Sequence, residues 1–287
     1  MTDVNEPFRA SEALAAGVVT RHRLRTDFQA VHRNVYLPNG LQLTPRNRAV
    51  AAWLWSDRSA TLAGLSASAW HRAKWIDDWL PAELNRRGRD KAVGIVLHSD
   101  VLADDERCVR NGMTMTTPAR TAFDLGRRKG LRTAVIRIDA LARATELKIA
   151  DVDLLVERHR GARGIVQLRR ALELVDCGSE SPWETRTRLV LVAAGLPSLR
   201  TQIPVLDGGR VIARIDMGWK EYLVGVEFDG AQHWTDPAQR TWDIDRLAHL
   251  EALGWRIVRV SADLLRYRPA VLIARVAEAL HAAGAPM

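Results

Sequence analysis

Apolar residues recur at helical spacing along most of the chain, and at a few places the pattern switches to short alternating or continuous runs. Residues 8–16 carry a helical period that stops at Gly17, and Thr20 is placed to cap a second helix over residues 21–28. Residues 30–37 read as a strand that ends at the turn Pro38-Asn39-Gly40. Two short helices followed by a strand pair predict a winged helix-turn-helix. Arg21, Arg23 and Arg25 fall on its second helix and Arg33 on the wing. In such a motif the second helix enters the major groove while cations hold phosphates. The bland reading is a solvated helix face.

Further along, residues 46–55 and 61–70 have apolar helical spacing. Residues 93–98 and 113–117 read as strands, Pro118 opens a helix through Leu125, and residues 131–176 are helical in two or three pieces. Trp53, Trp55, Trp70, Trp75 and Trp79 read as core or interface residues. His71 and His98 are isolated and read as structural, and the segment shows no catalytic constellation. Cys177-Gly-Ser-Glu-Ser-Pro182 clusters turn formers and reads as a linker.

Beyond it, Ser181-Pro-Trp-Glu184 opens a helix that reaches Ala194 and stops at Gly195. Strands follow over residues 199–206, 210–217 and 222–229, with turns at Asp207-Gly208-Gly209 and Gly218-Trp-Lys-Glu221. A helix opening at Thr235-Asp-Pro237, a strand over 255–260 and a helix over 269–281 complete an α-β-β-β-α-β-α order. The fold class is therefore multidomain α/β, with a mostly helical N-terminal half.

Side-chain alternation sets the acids of this region on faces. Asp216 ends the second strand, and Glu227 and Asp229 share one face of the third. If those strands pair as a hairpin, Asp216 and Glu227 meet beside the helix that carries Glu184. Three such carboxylates make a hard-oxygen site for Mg²⁺ or Mn²⁺. Each acid also has a local explanation: Glu184 in a capping box with Ser181, Asp216 at the Gly218 turn, Asp229 before Gly230. Glu227 is harder to explain locally, because an unpaired charge between Val226 and Phe228 in a central strand is costly.

Composition adds less. The 287 residues are 47% hydrophobic and 26% charged, an ordinary globular balance, and no apolar run approaches a bilayer span. The polar N-terminus is unlike a secretory signal, and two distant cysteines exclude a disulfide scaffold. Both features suit the cytoplasm and no membrane. The formal charge is +8, and from Glu180 onward cations and anions number 13 each, so the excess lies wholly in residues 1–179. That asymmetry points to DNA docking by the first half. The preference for Arg over Lys has a plainer origin in a GC-rich genome.

Two resemblances enter on these motifs. Gly17-Val-Val-Thr-Arg21, Phe28-Gln-Ala-Val-His-Arg-Asn-Val-Tyr36 and Thr116-Thr-Pro-Ala-Arg-Thr-Ala-Phe-Asp-Leu125 resemble AbiEi-type antitoxins over residues 8–128. This implies a DNA-binding winged helix followed by a domain that engages a cognate toxin protein. Glu184, Arg214-Ile-Asp216, Val226-Glu-Phe-Asp-Gly-Ala-Gln-His233, Asp245-Arg246 and Gly254-Trp-Arg-Ile-Val-Arg259 resemble the PD-(D/E)XK nuclease superfamily, in the branch similar to very-short-patch-repair endonucleases, over residues 180–282. It implies that Glu184, Asp216 and Glu227 hold Mg²⁺ or Mn²⁺. The Lys of the E-x-K element is replaced here by Asp229, and Gln232 or His233 is placed to supply the missing polar function. Arg240, Arg246, Arg256 and Arg259 are candidate phosphate contacts.

The expected organisation is a winged helix over 1–44, an AbiEi-like domain over 45–178 and a nuclease-like domain over 179–287. The expected function is metal-dependent DNA cleavage, or alternatively a non-enzymatic antitoxin or repressor with a degenerate nuclease-like domain. The oligomeric state is left open.

Overall fold

The computed structural model describes residues 5–88, 91–230 and 237–286, and of the last segment side chains from Ile244 on. The chain falls into two compact units that meet between Glu173 and Leu174.

The first unit opens with β1 (Phe8–Arg9), α1 (Ala10–Ala15), α2 (Arg21–Thr26), β2 (Phe28–His32) and β3 (Val35–Pro38). The strands form an antiparallel sheet of order β1-β3-β2. Two local readings are corrected here. Phe8 and Arg9 lie in a strand, because they pair with Tyr36 and Val35, and Phe8 packs edge-on to Phe28 at 5.0 Å. Residues 30–37 fold back as a hairpin, since Asn34 takes a left-handed φ of 62°. Thr20 does cap α2, its hydroxyl accepting the Arg23 N–H at 3.2 Å.

A second sheet follows α3 (Pro45–Trp55), which packs on the first. Its elements are β4 (Thr61–Leu62), α4 (Gly64–Trp70), β5 (Ala82–Asn85), β6 (Ile95–His98), β7 (Arg107–Arg110) and β8 (Met113–Thr116), in order β6-β5-β4-β8-β7. Thr61 and Leu62, expected in a helix, are strand because they bridge Leu84–Asn85 and Met115. Four helices finish the unit: α5 (Pro118–Arg128), α6 (Leu131–Ala144), α7 (Ile149–Arg158) and α8 (Ile165–Leu172). Trp53, Trp55 and Trp70 pack against the sheet core, whereas Trp75 and Trp79 are exposed and so are not core residues.

The second unit consists of α9 (Pro182–Ala193), β9 (Arg200–Asp207), β10 (Arg210–Trp219), β11 (Val224–Asp229), α10 (Pro237–Ala252), β12 (Arg256–Ser261), α11 (Ala262–Tyr267) and α12 (Pro269–Ala282). Its sheet runs β12-β11-β10-β9, with β12 parallel to β11 and the rest antiparallel. Leu191, Val226, Leu272 and Val276 fill the core on one face, and Ile203, Ile215, Leu250 and Trp255 fill the core on the other. The expected turn at Gly218 lies further on: Gly218 and Trp219 stay in β10, and the chain reverses through Lys220–Tyr222 and a left-handed Leu223. The short helix α11 has no counterpart in the expected element order. Among the described residues, no helix is long and apolar enough to cross a membrane.

Candidate carboxylate site

Three elements of the second unit bring the candidate acids together. Pro182 and the Ser181 hydroxyl, which accepts the Glu184 N–H at 3.2 Å, start α9 and place Glu184 in its first turn. Trp183 stacks on Phe228 with ring centroids 5.2 Å apart, seating that turn against β11. The β10–β11 pairing runs from Trp219↔Val224 to Met217↔Val226. One residue on, the Asp216 side chain accepts the Phe228 backbone N–H at 2.8 Å. A side chain thus takes a bond that a continuing ladder would have made, as short carboxylates do readily.

Glu184 and Glu227 are buried at 8% and 9% exposure. Burial and the negative charges of Glu184 and Glu227 push the Asp216 carboxyl up to about 7, despite the Phe228 N–H and Arg246, which pull it down. Glu184 and Glu227 thus both act on the Asp216 carboxyl from neighbouring elements.

The partners of these acids differ in part from expectation. Glu184 accepts the Glu180 N–H at 2.7 Å, a back-reach close to the capping box, and the Gln202 amide at 3.4 Å. Glu227 shares its face with Gly225, which lies under Ile215 and Ile257 towards the α10 side. On that side Arg246 of α10 donates to both Glu227 oxygens at 2.8 Å each. Asp229 accepts from Arg259 at 2.7 Å, a pair across β11–β12 in place of the expected turn contact at Gly230. Gln232, His233 and the side chain of Arg240 lie outside the described residues.

Among the described residues, no three His, Cys, Asp or Glu side chains stand close enough to hold a metal ion. The chemistry of the donors suits a hard divalent ion: three carboxylates, with Asp216 raised by burial and then by the charge of Glu184. The spacing is the obstacle, and Glu227 is turned onto a guanidinium.

In the first unit, Arg21, Arg25 and Arg33 are exposed, and Arg23 pairs with Asp27 at 2.8 Å. Sequence reasoning missed a buried polar network here. Arg120, 2% exposed, pairs with Glu106 and with Asp124, and Glu106 also meets His159 at 2.5 Å. Asp100 is held by Arg127 and Arg128. Glu83 bonds His98 at 2.9 Å and Lys129 at 2.8 Å, so His98 is not isolated. His71 bonds the Thr116 carbonyl at 2.8 Å. The Thr116–Leu125 motif thus builds an internal ion-pair lattice. Its signal was the Arg120–Asp124 spacing of four on a helix.

Fold and site define a two-unit α/β protein with a buried carboxylate cluster on its C-terminal sheet. Two uncharacterized proteins of Mycobacterium tuberculosis, MT2308 of strain CDC 1551 / Oshkosh and Rv2248 of strain H37Rv, are each 33% identical to the chain over 188 residues, covering 66% of this chain and 69% of theirs. The chain belongs to the family of these mycobacterial proteins. No protein-family model matches the sequence.

Proposed function

We propose that the protein is a DNA-acting, divalent-metal-dependent phosphodiesterase whose N-terminal unit docks on the duplex. The observation that carries this reading is Asp216, set among Glu184 and Glu227 where a helix, a hairpin and a parallel strand meet. The element order and the β12-β11-β10-β9 sheet support the likeness to the PD-(D/E)XK core. The order β1-β3-β2, with α1 and α2 between β1 and β2, supports a winged helix in which α2 presents Arg21 and Arg25. Glu184, Asp216 and Glu227 are the residues that would hold Mg²⁺ or Mn²⁺. Such an ion, when bound, polarises a phosphodiester and lowers the pKa of an attacking water. The chain's own part is to hold the carboxylates and to bring Arg259 beside them.

The test is nicking of supercoiled plasmid by purified protein with Mn²⁺ or Mg²⁺. Wild type should convert it, and Asp216→Ala with Glu227→Ala should not. Equal inactivity of both sinks the enzymatic reading.

A second reading has its own observation: Asp229 stands in the lysine position and both Glu227 oxygens are engaged by Arg246. It makes the protein a non-enzymatic repressor or antitoxin. Specific duplex binding without cleavage under every metal condition would favour it.

A further inference from the structure

The lysine of the E-x-K element is absent, yet the carboxylate cluster is not without a cation. Arg246 occupies Glu227 through two parallel N–H···O bonds of 2.8 Å. A bidentate guanidinium–carboxylate pair is among the stronger and most directional polar contacts. It is sheltered too, Arg246 being 21% and Glu227 12% exposed at the side chain. The second acid of the strand also has a cation, Asp229 accepting one N–H from the half-exposed Arg259 at 2.7 Å. Glu184 meets only neutral donors in its two hydrogen bonds described above, and Asp216 accepts the Phe228 N–H. Both acids of β11, Glu227 and Asp229, therefore have an internal counter-ion.

An arginine cannot play the part of the lost lysine as a proton acceptor, since it stays charged at any working pH. It can, however, take the place that a metal ion would take at Glu227. A carboxylate that gives one lone pair of each oxygen to a guanidinium has less negative charge left to offer an ion.

We propose that Arg246 and a divalent cation are competing counter-ions of Glu227. Arg246 is then a positioning residue: it holds Glu227 back in the metal-free protein and releases it when the ion binds. This rests on the phosphodiesterase reading above, because only that reading calls for a metal at these acids.

The experiment uses the full chain, folded state checked by thermal melting, and MnCl₂ as the probe. Calorimetric titration compares wild type with Arg246→Gln, Arg246→Lys and Glu227→Gln. Arg246→Gln removes the competitor and a repelling charge, so Mn²⁺ should bind roughly tenfold tighter or better. Arg246→Lys keeps the charge and should stay nearer wild type. Glu227→Gln should bind weakly. In parallel, the guanidinium N–H resonances of ¹⁵N-arginine-labelled protein should show one arginine leaving its ion-paired position as Mn²⁺'s diamagnetic substitute Mg²⁺ is added, a change absent from Arg246→Gln. Unchanged or weaker Mn²⁺ binding by Arg246→Gln overturns the competition while the metal reading stands on the wild-type affinity. Binding by no variant, wild type included, overturns the metal reading and the competition with it. Binding by Arg246→Gln alone supports the strongest form, in which the arginine closes the site outright.

Discussion

The Asp216 carboxylate accepts the Phe228 backbone N–H at 2.8 Å, so one side chain both pins two strands and stands among acids. Its carboxyl, raised from 3.8 to about 7 chiefly by burial and by Glu184, keeps its proton in the folded protein where the unfolded chain has lost it. The unfolded state thus binds fewer protons between these values, and stability falls as pH rises through that window, levelling off above pH 7. The full effect is about 4 kcal/mol at the upper limit. Asp216→Asn should remove this slope and melt higher than wild type above neutrality, while losing Mn²⁺ binding. Scanning calorimetry across the range checks it; identical pH profiles for both proteins would refute the assignment.

The first unit should show the opposite sign. Burial alone would raise Glu83, but its bonds to His98 and Lys129 outweigh that and bring it from 4.5 to about 2. Its contribution is present above pH 4.5 and is lost as pH falls towards 2, at roughly 3 kcal/mol. Glu83→Gln should flatten the acid limb of the stability curve measured by urea denaturation.

Arg120 is buried against Glu106 and Asp124, and removing it leaves Glu106 to His159 and Arg158, and Asp124 to Arg127 and Arg128. Arg120→Met should cost about 2–3 kcal/mol, since the remaining cations still face both acids, with partial recovery when Glu106→Gln is added. A loss under about 1 kcal/mol in chemical denaturation would mean that the lattice is solvated in solution.

Gly218 lies two residues beyond Asp216 with φ at +156°, and a Cβ there would stand 2.2 Å from the Val224 carbonyl oxygen. Gly218→Ala should destabilise the second unit by roughly 2 kcal/mol or more and, on the proposed phosphodiesterase reading, weaken Mn²⁺ binding with it. A fully folded, metal-binding Gly218→Ala protein would show that the hairpin relaxes freely.

On the proposed DNA contact, Arg21→Ala with Arg25→Ala should lower duplex affinity and reduce the slope of log affinity against log salt by roughly 2. Arg23→Ala should matter less, because Arg23 is already tied to Asp27. Fluorescence anisotropy over a salt series gives the slopes, and unchanged slopes would place the duplex elsewhere.

Most of the frame is written in short-range sequence signals. Proline at Pro182, Pro118 and Pro269 opens helices, and Gly208-Gly209 turns a hairpin. Alternation sorts Val224 and Val226 from Glu227, because each of these signals acts within a few residues of itself. The same locality explains the misreadings. Phe8–Arg9 and Thr61–Leu62 lie within apolar helical patterns, and only partners distant in the chain, Tyr36 and Val35 or Leu84 and Met115, make them strand. The acids of the site are likewise visible in the sequence as residues on faces, but their counter-ions are not. Arg246 is nineteen positions from Glu227, and helical spacing alone pairs it along its own helix; packing of α10 against the sheet beside β12 turns it to Glu227 instead. A period tells a side chain which face it occupies, whereas its partner is chosen by which other face the fold lays against it.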